Sequence, residues 1–134
     1  MLLRFLYQIL FPAAFVLGMP YYLLRMWKRG RVWDALEERW GIYPQTVRKK
    51  IAAWGDARPI WIHAVSVGEV KIAQTLLPQL RALNPAQNIV LTTTTQTGRA
   101  LALQCVDEHT AVLYNPFDFF WVVRRAFDVI CPSQ

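Results

Sequence analysis

The fold is decided by Pro59-Ile60-Trp61-Ile62-His63-Ala64-Val65-Ser66-Val67-Gly68-Glu69. Apolar and aromatic residues, broken only by His63, run into a Ser-Val-Gly turn. Glu69 then opens a helical pattern that continues through Ile72, Ala73, Leu76 and Leu77. The order is strand, tight turn, helix start. Open α/β sheets bind ligands at such turns, because the strands end there and the N–H groups of the next helix face the crevice. Ser66 and Glu69 also have the S-x-x-E spacing of a capping box. Glu69 therefore has two readings, a helix cap and a charged base able to take a proton from a sugar hydroxyl, and the two are compatible.

Toward the carboxyl end the pattern repeats. The residues from Glu69 to Leu83 predict a helix, kinked or restarted at Pro78 and ended by Asn84-Pro85. Ile89-Val90-Leu91 rise into Thr92-Thr93-Thr94-Thr95 as a β-branched strand, and Gln96-Thr97-Gly98 lead to a second helix ending near Val106. Ala111 to Tyr114 reads as a third strand, Asn115 to Asp118 as its loop and Phe119 to Phe127 as a third helix. Asp128 to Pro132 resembles the approach to a fourth strand. Three consecutive strand-helix units predict an α/β fold with a parallel sheet and right-handed crossovers. A three-stranded parallel sheet would leave a buried-type strand as an open edge, so the chain is expected to be the amino-terminal piece of a larger protein.

Toward the amino end the chain changes character. Phe5 to Leu24 is an apolar run interrupted by Gln8, Pro12, Gly18 and Pro20. As a helix it would cover about 30 Å, so it is expected to anchor the chain to a membrane, either spanning it or lying kinked at the interface. Arg25, Lys28, Arg29 and Arg31 follow it, which places the remainder on the cytoplasmic side. Val32, Trp33, Leu36 and Trp40 then recur at helical spacing with Glu37, Glu38 and Arg39 on the other side, and Gly41 stops that helix. Nine basic residues against three acidic ones lie through Gly55, and six against six thereafter, so the whole net charge of +6 flanks the apolar run. Arg48, Lys49, Lys50 and Trp54 continue a basic, tryptophan-bearing segment suited to anionic headgroups or to packing on the next domain.

Several chemistries are excluded. Ser66 lacks the G-x-S-x-G elbow of a serine hydrolase, and neither a G-x-G-x-x-G fingerprint nor a P-loop is present. Cys105 and Cys131 have no metal-ligand spacing and read as reduced core residues. His63 reads as a hydrogen-bonded core residue facing the same side as Trp61 and Val65, and Arg124 and Arg125 as a solvated face. Ser66, Val67 and Gly68, with Thr95, Gln96, Thr97 and Gly98, place hydroxyls, an amide and two helix starts at one sheet edge. Such donors suit sugar or phosphate oxygens.

These residues carry a family resemblance. Trp61 through Glu69, Thr92 through Gly98, and Tyr114-Asn115-Pro116-Phe117-Asp118 with Val123-Arg124-Arg125 and Pro132 resemble the amino-terminal half of the 3-deoxy-D-manno-octulosonic acid (Kdo) transferases. Gln96 stands where that family usually has proline. The resemblance implies a Rossmann-like half of a two-domain GT-B glycosyltransferase on the cytoplasmic face of the inner membrane. Residues 1–30 would be the anchor and basic flank, 31–58 basic amphipathic linker helices, and 59–134 the acceptor-side domain. Its remaining strands and the CMP-sugar domain would lie beyond Gln134. The implied reaction moves Kdo from CMP-Kdo to the lipid A precursor (lipid IVA) with inversion, without cofactor or metal and with no role for nucleic acid. Glu69 would be the base, and Ser66, Val67, Gly68, Thr95, Gln96, Thr97 and Gly98 would hold the acceptor. The alternative is a non-catalytic membrane-bound module that binds the acceptor, and the 134 residues alone are expected to be inactive.

Overall fold

The computed structural model describes residues 2–27 and 32–133. It divides into two compact units, residues 1–35 and 36–134. The basic flank read at Lys28, Arg29 and Arg31 lies outside the described residues.

The first unit is built on α1 (Leu2–Trp27), a continuous 26-residue helix that carries Pro12 and Pro20 inside it. Tyr7, Phe11 and Phe15, spaced four apart on one face, stack in a ladder with ring centroids 5.4 and 6.2 Å apart. Leu10, Val16, Leu17 and Leu24 are exposed. The apolar run is thus helical, as its composition suggests, but no helix among the described residues is both long and apolar enough to cross a membrane. The polar and proline interruptions dilute the run, and the spanning reading is not supported.

The second unit begins in the last turn of α2 (Val32–Arg39) and continues with α3 (Gln45–Ala53). Gly41 ends the α2 region in the left-handed conformation at φ +75°, and a Cβ there would sit 3.2 Å from the Val122 carbonyl oxygen. Three five-residue strands follow, β1 (Ile60–Ala64), β2 (Ile89–Thr93) and β3 (Thr110–Tyr114). They form a parallel sheet in the order β1-β2-β3, in register from Ile60↔Ile89↔Thr110 to Ala64↔Thr93↔Tyr114. The crossovers are α4 (Val67–Leu83) and α5 (Gln96–Ala102), the latter closed by a 3-10 turn at Leu103–Cys105. After β3 comes α6 (Phe120–Ile130).

Alternation along the strands sorts the core into two faces. Ile62, Ala64, Leu91 and Val112 meet Val70 and Ala73 of α4 and Leu101 and Ala102 of α5. Trp61, Val90, Ala111 and Leu113 meet Tyr43, Val47, Ile51 and Trp54 on one side and Ala126, Val129 and Ile130 of α6 on the other. Ile89, Val90 and Leu91 have no exposed surface. Each such side chain contributes about 1.5–3 kcal/mol of burial, which is why the central strand reads as an unbroken apolar run. α6 crosses the face opposite α4 and α5, and the chain beyond it returns to the start of β1, where the Ser133 N–H donates to the Pro59 carbonyl oxygen at 2.9 Å. The sheet thus has helices on both faces, and its last described residues lie against the start of β1.

Four local expectations are corrected. The approach to a fourth strand is instead the last turn of α6: Ile130 is buried one turn beyond Ala126, and the helix ends on Cys131 in the left-handed region before Pro132. Neither cysteine is core, since Cys131 is exposed and Cys105 half-buried. α4 runs on through Pro78 to Leu83 without restarting, its buried residues Val70, Ala73 and Leu77 lying in the stretch before the proline. Glu38 and Arg39, placed on the side of the helix away from its apolar residues, are buried at 3% and 6% exposure.

Candidate functional site

Strands in register end together, so the turns after β1, β2 and β3 leave from one edge of the sheet. At the first turn Ser66 takes the extended conformation and caps α4. Its hydroxyl oxygen accepts the Glu69 N–H at 3.3 Å. Glu69 answers by accepting the Val65 N–H on Oε2 at 2.8 Å, and the Ser66 hydroxyl reaches Oε1 at 3.3 Å. This is a capping box shifted by one residue, since the carboxylate reaches the amide before the cap and not the amide of Ser66 itself. Residues 65–69 are all exposed, and a Cβ on Gly68 would meet only Ser66 Oγ at 3.7 Å. The first turn of a 17-residue helix is thus open, with a carboxylate fixed beside it.

At the second turn Thr95 caps α5 in the same way, accepting the Gly98 N–H at 3.0 Å. A Cβ on Gly98 would lie 2.8 Å from Thr95 Oγ1, so only glycine lets the cap close. Thr95 and Thr97 are exposed, Gln96 is half-exposed and Gly98 is buried. The structure therefore brings the two candidate groups, Ser66 to Glu69 and Thr95 to Gly98, to a common edge as neighbouring strand-to-helix turns.

A third set of residues at this edge was missed by pattern reading. The Glu38 carboxylate binds Arg99 through both oxygens, at 2.6 and 2.8 Å, and accepts the Tyr114 N–H at 2.8 Å. The Arg99 and Arg39 guanidinium groups lie 4.4 and 4.6 Å from the Tyr114 ring centroid. Arg39 Nη2 donates to the Thr94 carbonyl oxygen, and the Arg39 carbonyl accepts the Phe117 N–H at 2.7 Å. One dipeptide thus ties the β2–α5 turn, the α5 helix and the β3–α6 loop together. Buried charge is tolerated here because Glu38 is paired with Arg99, while the Arg39 guanidinium donates to the Thr94 carbonyl and lies against the Tyr114 ring. A signal was available, an acid-base pair one residue ahead of a helix-stopping glycine.

His63 is also corrected. It is exposed, not core, and its Nδ1 lies 3.0 Å from Thr92 Oγ1. Arg124 and Arg125 are exposed as read.

The other edge of the sheet is different in kind. Hollows of about 530 and 380 Å3 lie there, one beside Pro59 and Arg58, the other beside Arg81 and Asp107, and neither contains a candidate residue. Burial raises the Asp107 carboxyl, but the Arg81 guanidinium, the Thr110 hydroxyl and the His109 N–H outweigh it and hold the group below its usual range. Burial pushes the Cys105 thiol up, partly offset by a hydrogen bond with Gln74 and reinforced by Asp107. Burial, followed by the Glu38 charge, raises the Tyr43 phenol well above its usual range. No group of three or more metal-ligating side chains occurs among the described residues.

Fold and edge together define an α/β unit with a three-stranded parallel sheet and flanking helices, whose strand-end edge carries the exposed Glu69 carboxylate, paired caps and a buried charge clamp. The profile of the family described as 3-Deoxy-D-manno-octulosonic-acid transferase (kdotransferase) matches residues 34–134, and the chain belongs to that family. A 3-deoxy-D-manno-octulosonic acid transferase of Chlamydia pneumoniae is 27% identical over 128 residues, covering 95% of this chain and 28% of the relative. One from Haemophilus influenzae is 31% identical over 106 residues, covering 79% and 23%. One from Bordetella pertussis is 36% identical over 84 residues, covering 60% and 18%. The chain thus spans between about a fifth and just over a quarter of the length of these curated relatives. No solved structure matches it.

Proposed function

We propose that this chain is the acceptor-side part of a GT-B glycosyltransferase that moves Kdo from CMP-Kdo to the lipid A precursor, lipid IVA, in lipopolysaccharide core biosynthesis. The observation that carries the reading, beside family membership, is the fixed and exposed carboxylate of Glu69 at the open first turn of α4. Oε2 is held by the Val65 N–H, while the hydrogen-bond partner of Oε1 among the described residues, the Ser66 hydroxyl, lies at 3.3 Å, beyond the ordinary O–H···O range. Oε1 is therefore the oxygen left to take a proton from the acceptor hydroxyl. The freed oxygen attacks the anomeric carbon of Kdo, and the bond from that carbon to the CMP phosphate oxygen breaks. CMP leaves with the electron pair and the configuration inverts.

The Thr95–Gly98 turn offers hydroxyl donors to the acceptor sugar beside it, and the Glu38–Arg99 clamp keeps that turn in place. α1, with its exposed Leu10, Val16, Leu17, Tyr21 and Leu24, lies on the membrane that holds the lipid acceptor, apolar face inward. A lipid acceptor gives that helix a reason to exist.

The test is transfer of Kdo from an in situ CMP-Kdo supply to lipid IVA by membranes expressing the whole open reading frame that encodes this chain. Kdo-bearing lipid is the expected product. Its absence with donor and acceptor both verified would overturn the reading and leave the non-catalytic acceptor-binding module.

A further inference from the structure

The charge clamp and the caps account for most of the polar groups at the ligand edge. One polar chain remains without a use, and it ends at His63. Thr92 has no exposed surface, yet it carries a hydroxyl where valine would fill the same space. That hydroxyl oxygen receives the Trp61 indole N–H at 3.0 Å, and an indole can only donate. Its own proton has two possible acceptors, His63 Nδ1 at 3.0 Å and the Ile62 carbonyl at 3.4 Å. The carbonyl contact is the longer and weaker of the two, so the proton is assigned to the imidazole. Nδ1 is then the accepting nitrogen and the ring proton sits on Nε2.

Position gives this tautomer a purpose. His63 is the fourth of the five residues of β1, close to the edge where Glu69 stands, and lies on the sheet face shared by Trp61. α6 covers that face only further back: Phe127 packs on Trp61 with centroids 5.2 Å apart, and the chain after α6 goes to Pro59 at the far end of β1. The His63 ring is left exposed near the carboxyl end of β1, the end at which open α/β sheets hold ligands. A buried relay that orders an exposed ring has no packing rationale, since valine and phenylalanine would pack the same space without desolvating polar groups.

We propose that His63 is a substrate-binding residue, its Nε2–H donating to an anionic oxygen of a bound substrate, with Trp61 and Thr92 as positioning residues that fix its tautomer. The inference rests on the transferase reading. The shared ligand chemistry is a carboxylate or phosphate oxygen, which either the activated sugar acid or the lipid acceptor could supply.

The experiment uses the product of the whole reading frame, with His63→Ala, His63→Gln, His63→Asn and Thr92→Val. Glutamine places an amide N–H near the Nε2 position, whereas asparagine reaches only as far as Nδ1. The His63→Ala variant is expected to raise the KM for one substrate at least tenfold, with kcat changed much less and the thermal midpoint kept. His63→Gln should recover most of the loss and His63→Asn little. A raised KM for CMP-Kdo identifies the sugar acid or its phosphate as the ligand, and a raised KM for lipid IVA identifies the acceptor. Imidazole 15N shifts of the parent should place the proton on Nε2, and Thr92→Val should release that preference. Parent-like kinetics in His63→Ala, equal rescue by asparagine, or a proton on Nδ1 would each overturn the proposal while leaving the transferase reading intact. A parent without any transfer would overturn both.

Discussion

Removing Arg99 leaves a carboxylate buried with one hydrogen bond where it had three. Glu38 is 3% exposed, and its partners are two guanidinium nitrogens at 2.6 and 2.8 Å and the Tyr114 N–H at 2.8 Å. In Arg99→Met the methylene stem is retained, so the packing loss is small and the electrostatic loss dominates. Breaking a buried pair from one side costs about 3–5 kcal/mol, because the remaining charge is uncompensated. The reciprocal change, Glu38→Gln, should cost less, about 1–3 kcal/mol. The amide oxygen can still accept the Tyr114 N–H, and the Arg99 side chain is 19% exposed and so retains some hydration. The double variant Glu38→Gln with Arg99→Met should be less destabilised than the sum of the two, giving a coupling energy of about 1–3 kcal/mol. For a domain of this size, 1 kcal/mol moves the thermal midpoint by about 4–8 °C, so Arg99→Met should fall by about 12 °C or more. Urea unfolding followed by circular dichroism measures all three. A cost below about 0.5 kcal/mol for Arg99→Met, or strict additivity in the double variant, would refute the view that this pair clamps the ligand edge.

Three further outcomes follow from the same geometry. Gly98→Ala should lose about 0.5–2 kcal/mol in urea unfolding, because its Cβ displaces the Thr95 hydroxyl from the α5 cap. Gly68→Ala, which meets nothing closer than 3.7 Å, should keep or gain stability by about 0.4–1 kcal/mol while lowering Kdo transfer if the acceptor approaches the backbone there. The Asp107 carboxyl is lowered in the folded protein, so its contribution is complete above its ordinary value of 3.8 and disappears as pH falls through the lower folded value. The urea midpoints of parent and Asp107→Asn should therefore differ at pH 7 and converge near pH 2, and a gap that widens in acid would contradict the Arg81 pairing.

The central architecture was legible because each of its signals is local and periodic. Strand, turn and capping box around Glu69 follow from Ile60 to Glu69 alone, and the Thr95–Gly98 turn repeats them. The α3 helix and the stop at Gly41 were equally open to reading. What failed were judgements that depend on partners distant in sequence. Glu38 and Arg39 look like a wet helix face until Arg99, 61 residues away, and Thr94, 55 residues from Arg39, are brought against them. His63 looks like a core residue in an apolar strand, because nothing in its neighbours reveals that α6 leaves the end of β1 uncovered. The last turn of α6 resembles a strand in Asp128-Val129-Ile130, since β-branched residues favour both states in short stretches. The burial of Ile130 one turn after Ala126 is what decides for helix. The spanning form of the membrane reading of Phe5 to Leu24 follows from length and mean composition, and the prolines, glycine and tyrosines leave the run short of the apolarity a crossing needs.

Glu69 carries the weight of the functional account, and its two roles separate in one measurement. Glu69→Gln keeps an oxygen to accept the Val65 N–H and so should retain the α4 cap, with a thermal midpoint within a few degrees of the parent. It cannot take a proton from the acceptor hydroxyl. Single-turnover Kdo transfer to lipid IVA by the whole-frame protein should therefore fall by about 10²–10⁴-fold at saturating donor and acceptor. Transfer at the parental rate by a normally folded Glu69→Gln protein would contradict the account and leave Glu69 as a helix cap alone.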